Sequence, residues 1–218
     1  MKLIKNVFIS ACLCFGVAAS SFAQENQNVT VKYNSNKLIS AYITYIVDGS
    51  NYKVSTAINI PLYKMRFSTE GSIKNGIFEL ETYKDVRNGK VYADAVVKNG
   101  QLTYGKAKET KNSVTLELPT FDLFSIAFQL SYFGKLPASF QYTNGKKIYK
   151  MDPLVMNESS KMVDIDGVQA KEITYSFHGN DKKQIVVKKI EGQKYPSYLS
   201  YEKDGDRYNF KFDRIVQN

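Results

Sequence analysis

Ser50-Asn51-Tyr52-Lys53-Val54-Ser55-Thr56-Ala57-Ile58-Asn59-Ile60, directly after Asp48-Gly49, is the stretch that decides the fold. Tyr52, Val54, Thr56, Ile58 and Ile60 alternate with Lys53, Ser55, Ala57 and Asn59, the period-two rhythm of a strand with one face in a core and one toward water. The same rhythm returns at Val114, Leu116 and Leu118, at Ile173, Tyr175 and Phe177, and at Tyr208, Phe210 and Phe212. Leu38 to Val47 is apolar on both sides, which predicts a strand covered on both faces.

Between these runs lie seven Asn-Gly or Asp-Gly pairs, at 48–49, 75–76, 88–89, 99–100, 144–145, 166–167 and 204–205. Such pairs supply the positive φ angles of tight hairpin turns. Strands joined this way form an antiparallel meander, and ten to twelve of them in one sheet must curl or close. The expected fold class is all-β, mainly antiparallel, as a curved sheet or barrel, with two stacked sheets as the alternative. One segment departs from the rhythm. Phe121 to Phe133 is almost continuously apolar, follows Pro119-Thr120 and stops at Gly134, which predicts a helix over 121–133. Thr120 or Asp122 is its expected cap, and its all-round apolar surface predicts burial against the sheet. The meanders before and after it read as two halves of one β-rich domain spanning 24–218.

At the N-terminus, Lys2 and Lys5 precede an apolar run from Val7 to Ala19, and Ser21 and Ala23 stand at the minus-three and minus-one positions of a cut before Gln24. That is the pattern of a secretory signal peptide over 1–23, and the run is too short for a transmembrane helix. Lipid modification at Cys12 is the alternative, although it leaves only a short apolar core after Lys5. Export followed by periplasmic or envelope residence is the expectation. Cleavage after Ala23 removes both cysteines, Cys12 and Cys14, and with them disulfide and thiolate chemistry. Two lysines leave as well, so 28 basic against 21 acidic residues remain, a net +7. These lysines are scattered, and no nucleic-acid motif accompanies them. The densest group, Lys182, Lys183, Lys188 and Lys189, flanks Ile185 to Val187 and reads as the charged shoulders of a strand, protective if that strand lies at an edge.

Asp122-Leu-Phe-Ser-Ile-Ala-Phe-Gln-Leu130, followed by Asn144-Gly-Lys-Lys-Ile-Tyr149, resembles a stretch of the bacterial exported proteins grouped as domain of unknown function 3108. An early strand with Tyr42 and Tyr45, Gly71 ahead of the next hairpin, a late strand from Tyr195-Pro196 and a last hairpin at Asp204-Gly205 are similar in order. The likeness spans about Val29 to Val216 and departs from the family in lacking tryptophan. It implies export and an antiparallel β architecture, and supplies no catalytic residue.

Chemistry-bearing residues are sparse. His178 is the single histidine and falls on the polar face of its strand, so a zinc site or a Ser-His-Asp triad has little to draw on. Ser125 sits among helix aromatics, where bonding back to its own helix is the expected role. Asp164-Ile-Asp166-Gly167 lacks the remaining ligands of a calcium loop and reads as a turn. Glu79 with Glu81, and Asp204 with Asp206, are the carboxylate pairs on offer for glycoside hydrolysis. No phosphate loop or dinucleotide fingerprint occurs. In surplus are 16 Tyr and 13 Phe, which fill a β core or line a concave binding surface with the helix as a lid. The expectation is a non-enzymatic envelope protein that binds an apolar ligand such as lipid, with no cofactor or metal. An interaction module for envelope proteins or polysaccharide, and a carboxylate hydrolase, are the alternatives.

Overall fold

The computed structural model describes residues 25–37, 39–178, 184–203 and 205–216. The expected signal peptide with its cut site, Leu38, the Lys182-Lys183 pair and Asp204 lie outside them. In chain order the elements are β1 (Gln27–Ser35), β2 (Ser40–Asp48), β3 (Asn51–Ile60), β4 (Tyr63–Lys74), β5 (Ile77–Arg87), β6 (Lys90–Lys98), β7 (Gln101–Lys106), β8 (Asn112–Thr115), β9 (Thr120–Phe121), α1 (Leu123–Phe133), β10 (Phe140–Thr143), β11 (Ile148–Met151), β12 (Met156–Ile165), β13 (Val168–His178), β14 (Gln184–Ile190), β15 (Tyr198–Lys203) and β16 (Asp206–Val216). The fold is the expected antiparallel β class with one helix.

Thirteen strands form one sheet in the order β12-β13-β14-β15-β16-β1-β2-β3-β4-β5-β6-β7-β8, slightly more than the ten to twelve predicted. It is a curved sheet and does not close into a barrel. Its two halves meet where the first strand pairs with the last, Thr30 opposite Val216 and Ser35 opposite Phe210. In place of a second stacked sheet there is only a small one, β11-β10-β9.

Four of the Asn-Gly and Asp-Gly pairs make the expected two-residue turns with both residues at positive φ: 75–76, 88–89, 99–100 and 166–167. The other described pairs differ. Asp48 is the last residue of β2 and pairs with Asn51, so that turn is Gly49-Ser50. Asn144 caps a four-residue loop between β10 and β11, its carboxamide oxygen accepting from the Lys146 and Lys147 amides.

The helix starts two residues later than predicted, because Thr120 and Phe121 are drawn into β9 beside β10. Asp122 is its N-cap, accepting from the Phe124 amide at 2.8 Å, while Ser125 Oγ accepts from the Asp122 amide, closing a capping box. Gly134, at φ 72, ends it with a bond from its amide to the Leu130 carbonyl. Nine of its eleven residues are buried, and it touches β3 and β5 from one half and β14 from the other. The helix therefore occupies the concavity of the sheet.

Around it the aromatics stack on one another. Phe128 meets Tyr45 at 5.0 Å and Phe78 at 4.8 Å, and Phe78 lies flat on Tyr52 at 4.3 Å. Buried polar groups pin the helix's C-terminal half. The Gln129 side chain accepts from the Phe78 amide and donates to the Gly76 and Lys135 carbonyls, and Lys189 donates to the Ser131 carbonyl at 2.6 Å. Burial lowers the Lys189 pKa, yet an ammonium there complements the negative end of the helix. Tyr33 donates to the Pro196 carbonyl and so accepts from Tyr45, tying β1 and β2 to the segment before β15.

Three expectations need correcting. The β2 strand buries only Ala41, Ile43, Tyr45 and Val47, and its other face, with Tyr42, Thr44 and Ile46, stays half-exposed because no element packs there among the described residues. The lysine-flanked strand β14 lies inside the sheet between β13 and β15, so Lys188 and Lys189 guard no edge. Lys188 instead pairs with Glu172 across the sheet. The late strand begins at Tyr198, since the Pro196 carbonyl is taken by Tyr33.

Candidate functional site

The concavity is filled at the C-terminal end of α1 and open at its N-terminal end. There a cleft of about 630 Å³ lies between the ends of β3 to β5, the β10–β11 loop and the ends of β14 to β16. Phe67, Phe124 and Phe210 form an aromatic run along it, with ring centroids 5.7 Å and 6.1 Å apart. Ile58, Met65 and Ile185 add aliphatic surface. Two stacked tyrosine pairs also line it, Tyr142 on Tyr149 at 4.8 Å and Tyr201 on Tyr208 at 5.3 Å. Burial, with Tyr208 alongside, pushes the Tyr201 hydroxyl up to about 12.

Two single-residue bulges aim side chains into this cleft. Gly71 pairs with Leu80 while Glu70 pairs with Thr82, so Glu81 is the extra residue of β5. Before it Phe78 and Leu80 point inward; after it Tyr83 and Asp85 do, and all four are buried. Likewise Asp85 pairs with Ala93 and Val86 with Val91, leaving Tyr92 as the extra residue of β6. Arg87 then lies 3.7 Å above the Tyr92 ring and grips Asp85 through two nitrogens, at 2.9 Å and 3.1 Å. Hydrogen bonding to Asp85 raises the Arg87 pKa, so the guanidinium stays charged.

Gly71 lets β4 and β5 approach at the first bulge. A Cβ there would stand 1.9 Å from the Glu79 carbonyl oxygen. Gly145, at φ 78, holds the β10–β11 loop against the large sheet, where a Cβ would come 2.9 Å from the Tyr83 ring. Its carbonyl accepts from the Gly105 amide.

Two buried carboxylates line the cleft, and both are committed to structure. Asp85 is held by Arg87. Asp122 accepts from Thr69 Oγ1 at 2.5 Å and from the Phe124 amide; burial raises its pKa, while these hydrogen bonds pull the other way. Ser125 is fully buried and bonds only within the cap, accepting from the Asp122 amide and donating to the Asp122 carbonyl.

The residues weighed from sequence lie elsewhere. His178 is exposed at the end of β13. Glu79 pairs with Lys74 on the outer face at 2.7 Å, with Glu81 exposed beside it at the bulge. Asp206 is exposed and meets Lys37. Asp164 accepts from the Gly167 amide in the β12–β13 turn. Among the described residues no group of three or more His, Cys, Asp and Glu could hold a metal ion, and no helix is long and apolar enough to cross a membrane. The helix is a wall of the cleft, through Asp122, Leu123 and Phe124, and not an outer lid. Sequence reasoning missed Asp85 and Arg87, because strict alternation carried forward from Glu79 and Glu81, without the bulge, puts both outside. No protein-family model matches the chain, and no curated protein matches it.

Proposed function

We propose that the chain is an exported envelope protein that holds an apolar ligand, such as a lipid acyl chain, in the cleft at the open end of its curved sheet, and performs no catalytic step. One observation carries this reading: the concave face is packed solid around Phe78 and Phe128 but leaves about 630 Å³ beside Phe67, Phe124 and Phe210. That volume falls within the range of small-molecule sites, and the lining has their character, mostly apolar with a few fixed polar groups. Each methylene buried there contributes about 0.8 kcal/mol. The signal-peptide pattern at 1–23 supports the envelope as its setting. The engagement of Asp85, Asp122 and Ser125 by structural partners favours binding over hydrolysis.

The test is native mass spectrometry of protein purified from a bacterial envelope without detergent, then incubated with phospholipid or fatty acid. Bound lipid mass is expected, and Ile58→Trp, which fills the cleft, should abolish it. Bare polypeptide mass after incubation would refute the proposal.

The interaction-module reading keeps one observation of its own. Strand β12 is an unpaired edge of ten residues, and its hairpin with β13 exposes Met162, Ile165 and Val168. A complex held through that edge would be lost in Ser160→Pro while lipid uptake persisted.

A further inference from the structure

The two ends of the sheet differ in charge and in what they expose. At the open end, residues 36, 37 and 39 and segments 61–64, 87–90 and 144–147 together contain six basic residues, Lys37, Lys64, Arg87, Lys90, Lys146 and Lys147, and no acid. Of the other described residues at that end, the β7–β8 turn 107–111 carries Lys108 and Lys111 against Glu109, and Glu202 and Asp206 stand against Arg207, so the end as a whole is positive. At the other end, segments 48–51, 74–77, 98–101 and 191–194 carry three bases and two acids. The basic excess of the chain is therefore polarised along the axis of the concavity.

Within the basic ring stands Leu62. It is 102% exposed, at the tip of the β3–β4 turn, and flanked by the cleft residues Ile60 and Met65. Its φ is 64°, and among the described residues it is the one side chain other than Asn or Asp held in the left-handed region. Pro61 starts this turn, and the position after it is where glycine normally supplies positive φ. A leucine there is strained by its backbone and gains nothing from burial. Strain kept with full exposure points to a role at the surface.

We infer that the open end is a docking face for an anionic lipid bilayer, with Leu62 entering the acyl region while Lys64, Lys90 and Lys147 meet the phosphates. An apolar anchor within a basic ring is the chemistry that such a surface selects. A neutral or zwitterionic surface would leave the ring unmatched. The inference stands on the rim and does not require the cleft to hold lipid, although Ile60 and Met65 place the cleft mouth against the docked membrane.

The test is flotation of the full protein, as the expressing bacterium processes it, with phosphatidylcholine vesicles made with and without phosphatidylglycerol. Wild type should float with the anionic vesicles and be released by high salt. Leu62→Asn keeps a residue that tolerates the left-handed turn, and should weaken binding at least about tenfold. Lys64→Glu with Lys90→Glu should weaken it by about twentyfold or more, at about fivefold per lysine removed. All three proteins share one N-terminus, so the differences report on the rim alone. Wild type that shows no preference for anionic vesicles, or Leu62→Asn within about twofold of wild type, would overturn the inference; a rim that then bound another envelope protein would be a protein interface. Uptake of a fluorescent fatty acid, measured on the same proteins, separates the two readings. Flotation without uptake would sink the cleft and leave the docking face, and uptake without flotation would do the reverse.

Discussion

Replacing Gln129 by leucine should lower folding stability by about 3 kcal/mol while leaving the cleft in working order. Phe78 lies on β5 beyond the reach of β6, whose register with β5 runs only from Thr82 to Arg87. Its amide points to where the next strand would be, and the Gln129 carboxamide supplies the missing acceptor at 2.8 Å. The same side chain donates to the Gly76 and Lys135 carbonyls at 2.9 Å and 3.1 Å. Leucine fills nearly the same volume, so the loss is polar and not a cavity. An unpaired buried amide costs about 1–3 kcal/mol, and each partly buried carbonyl adds about 0.5 kcal/mol. Urea unfolding followed by circular dichroism measures the difference, and hydrogen exchange at Phe78 locates it. A change below about 1 kcal/mol, or an unaltered Phe78 exchange rate, would refute the idea that Gln129 stands in for a strand. Gln129→Glu sharpens the test, since it keeps the acceptor but faces two carbonyls without a proton to give. Burial without a cationic partner raises the folded-state pKa of that glutamate, so the variant should be weakest near neutrality and recover as the pH falls toward its ordinary carboxylate range.

Gly71→Ala puts a Cβ 1.9 Å from the Glu79 carbonyl oxygen and should cost about 3 kcal/mol in the same unfolding assay, with loss of ligand uptake, because the bulge that turns Tyr83 and Asp85 inward is displaced. Leu62→Asn should raise stability by about 1 kcal/mol, since asparagine accepts the φ of 64° more readily, and a lower melting temperature would contradict the strain assigned to the turn. Alkaline titration should unfold the protein from about pH 10 upward. Tyr33 and Tyr45, raised chiefly by burial, and Tyr201, raised to about 12, keep their protons in the folded form when the unfolded chain has lost them, so stability is intact below pH 10 and falls as the pH climbs. Tyrosinate absorbance that develops fully before the circular dichroism changes would disprove it.

What was legible in the chain follows the range of the forces involved. Asn75-Gly76, Asn88-Gly89, Asn99-Gly100 and Asp166-Gly167 are local devices whose backbone angles are written in the residues, and the turns form where they stand. Asp122 and Gly134 bracket α1 for the same reason. The cleft was not legible, because it depends on where alternation breaks. Glu81 and Tyr92 carry no mark of the bulges they occupy, which arise only when neighbouring strands settle their register. Lys189 resembled a solvated charge until α1 placed a carbonyl above it. Nothing in the sequence marks Leu62, since its exposure is a property of the finished surface.

The pairing of β1 with β16 also sets the order in which the molecule can be completed. Thr30 must find Val216, the partner farthest from it in sequence among the described ladders, so the seam of the sheet forms only after nearly all of the chain is available. Long-range β pairing of this kind is slow, and until it happens β1 presents a raw edge with Val31 and Tyr33 uncovered. A chain caught before that seam forms offers this edge to the strands of other chains.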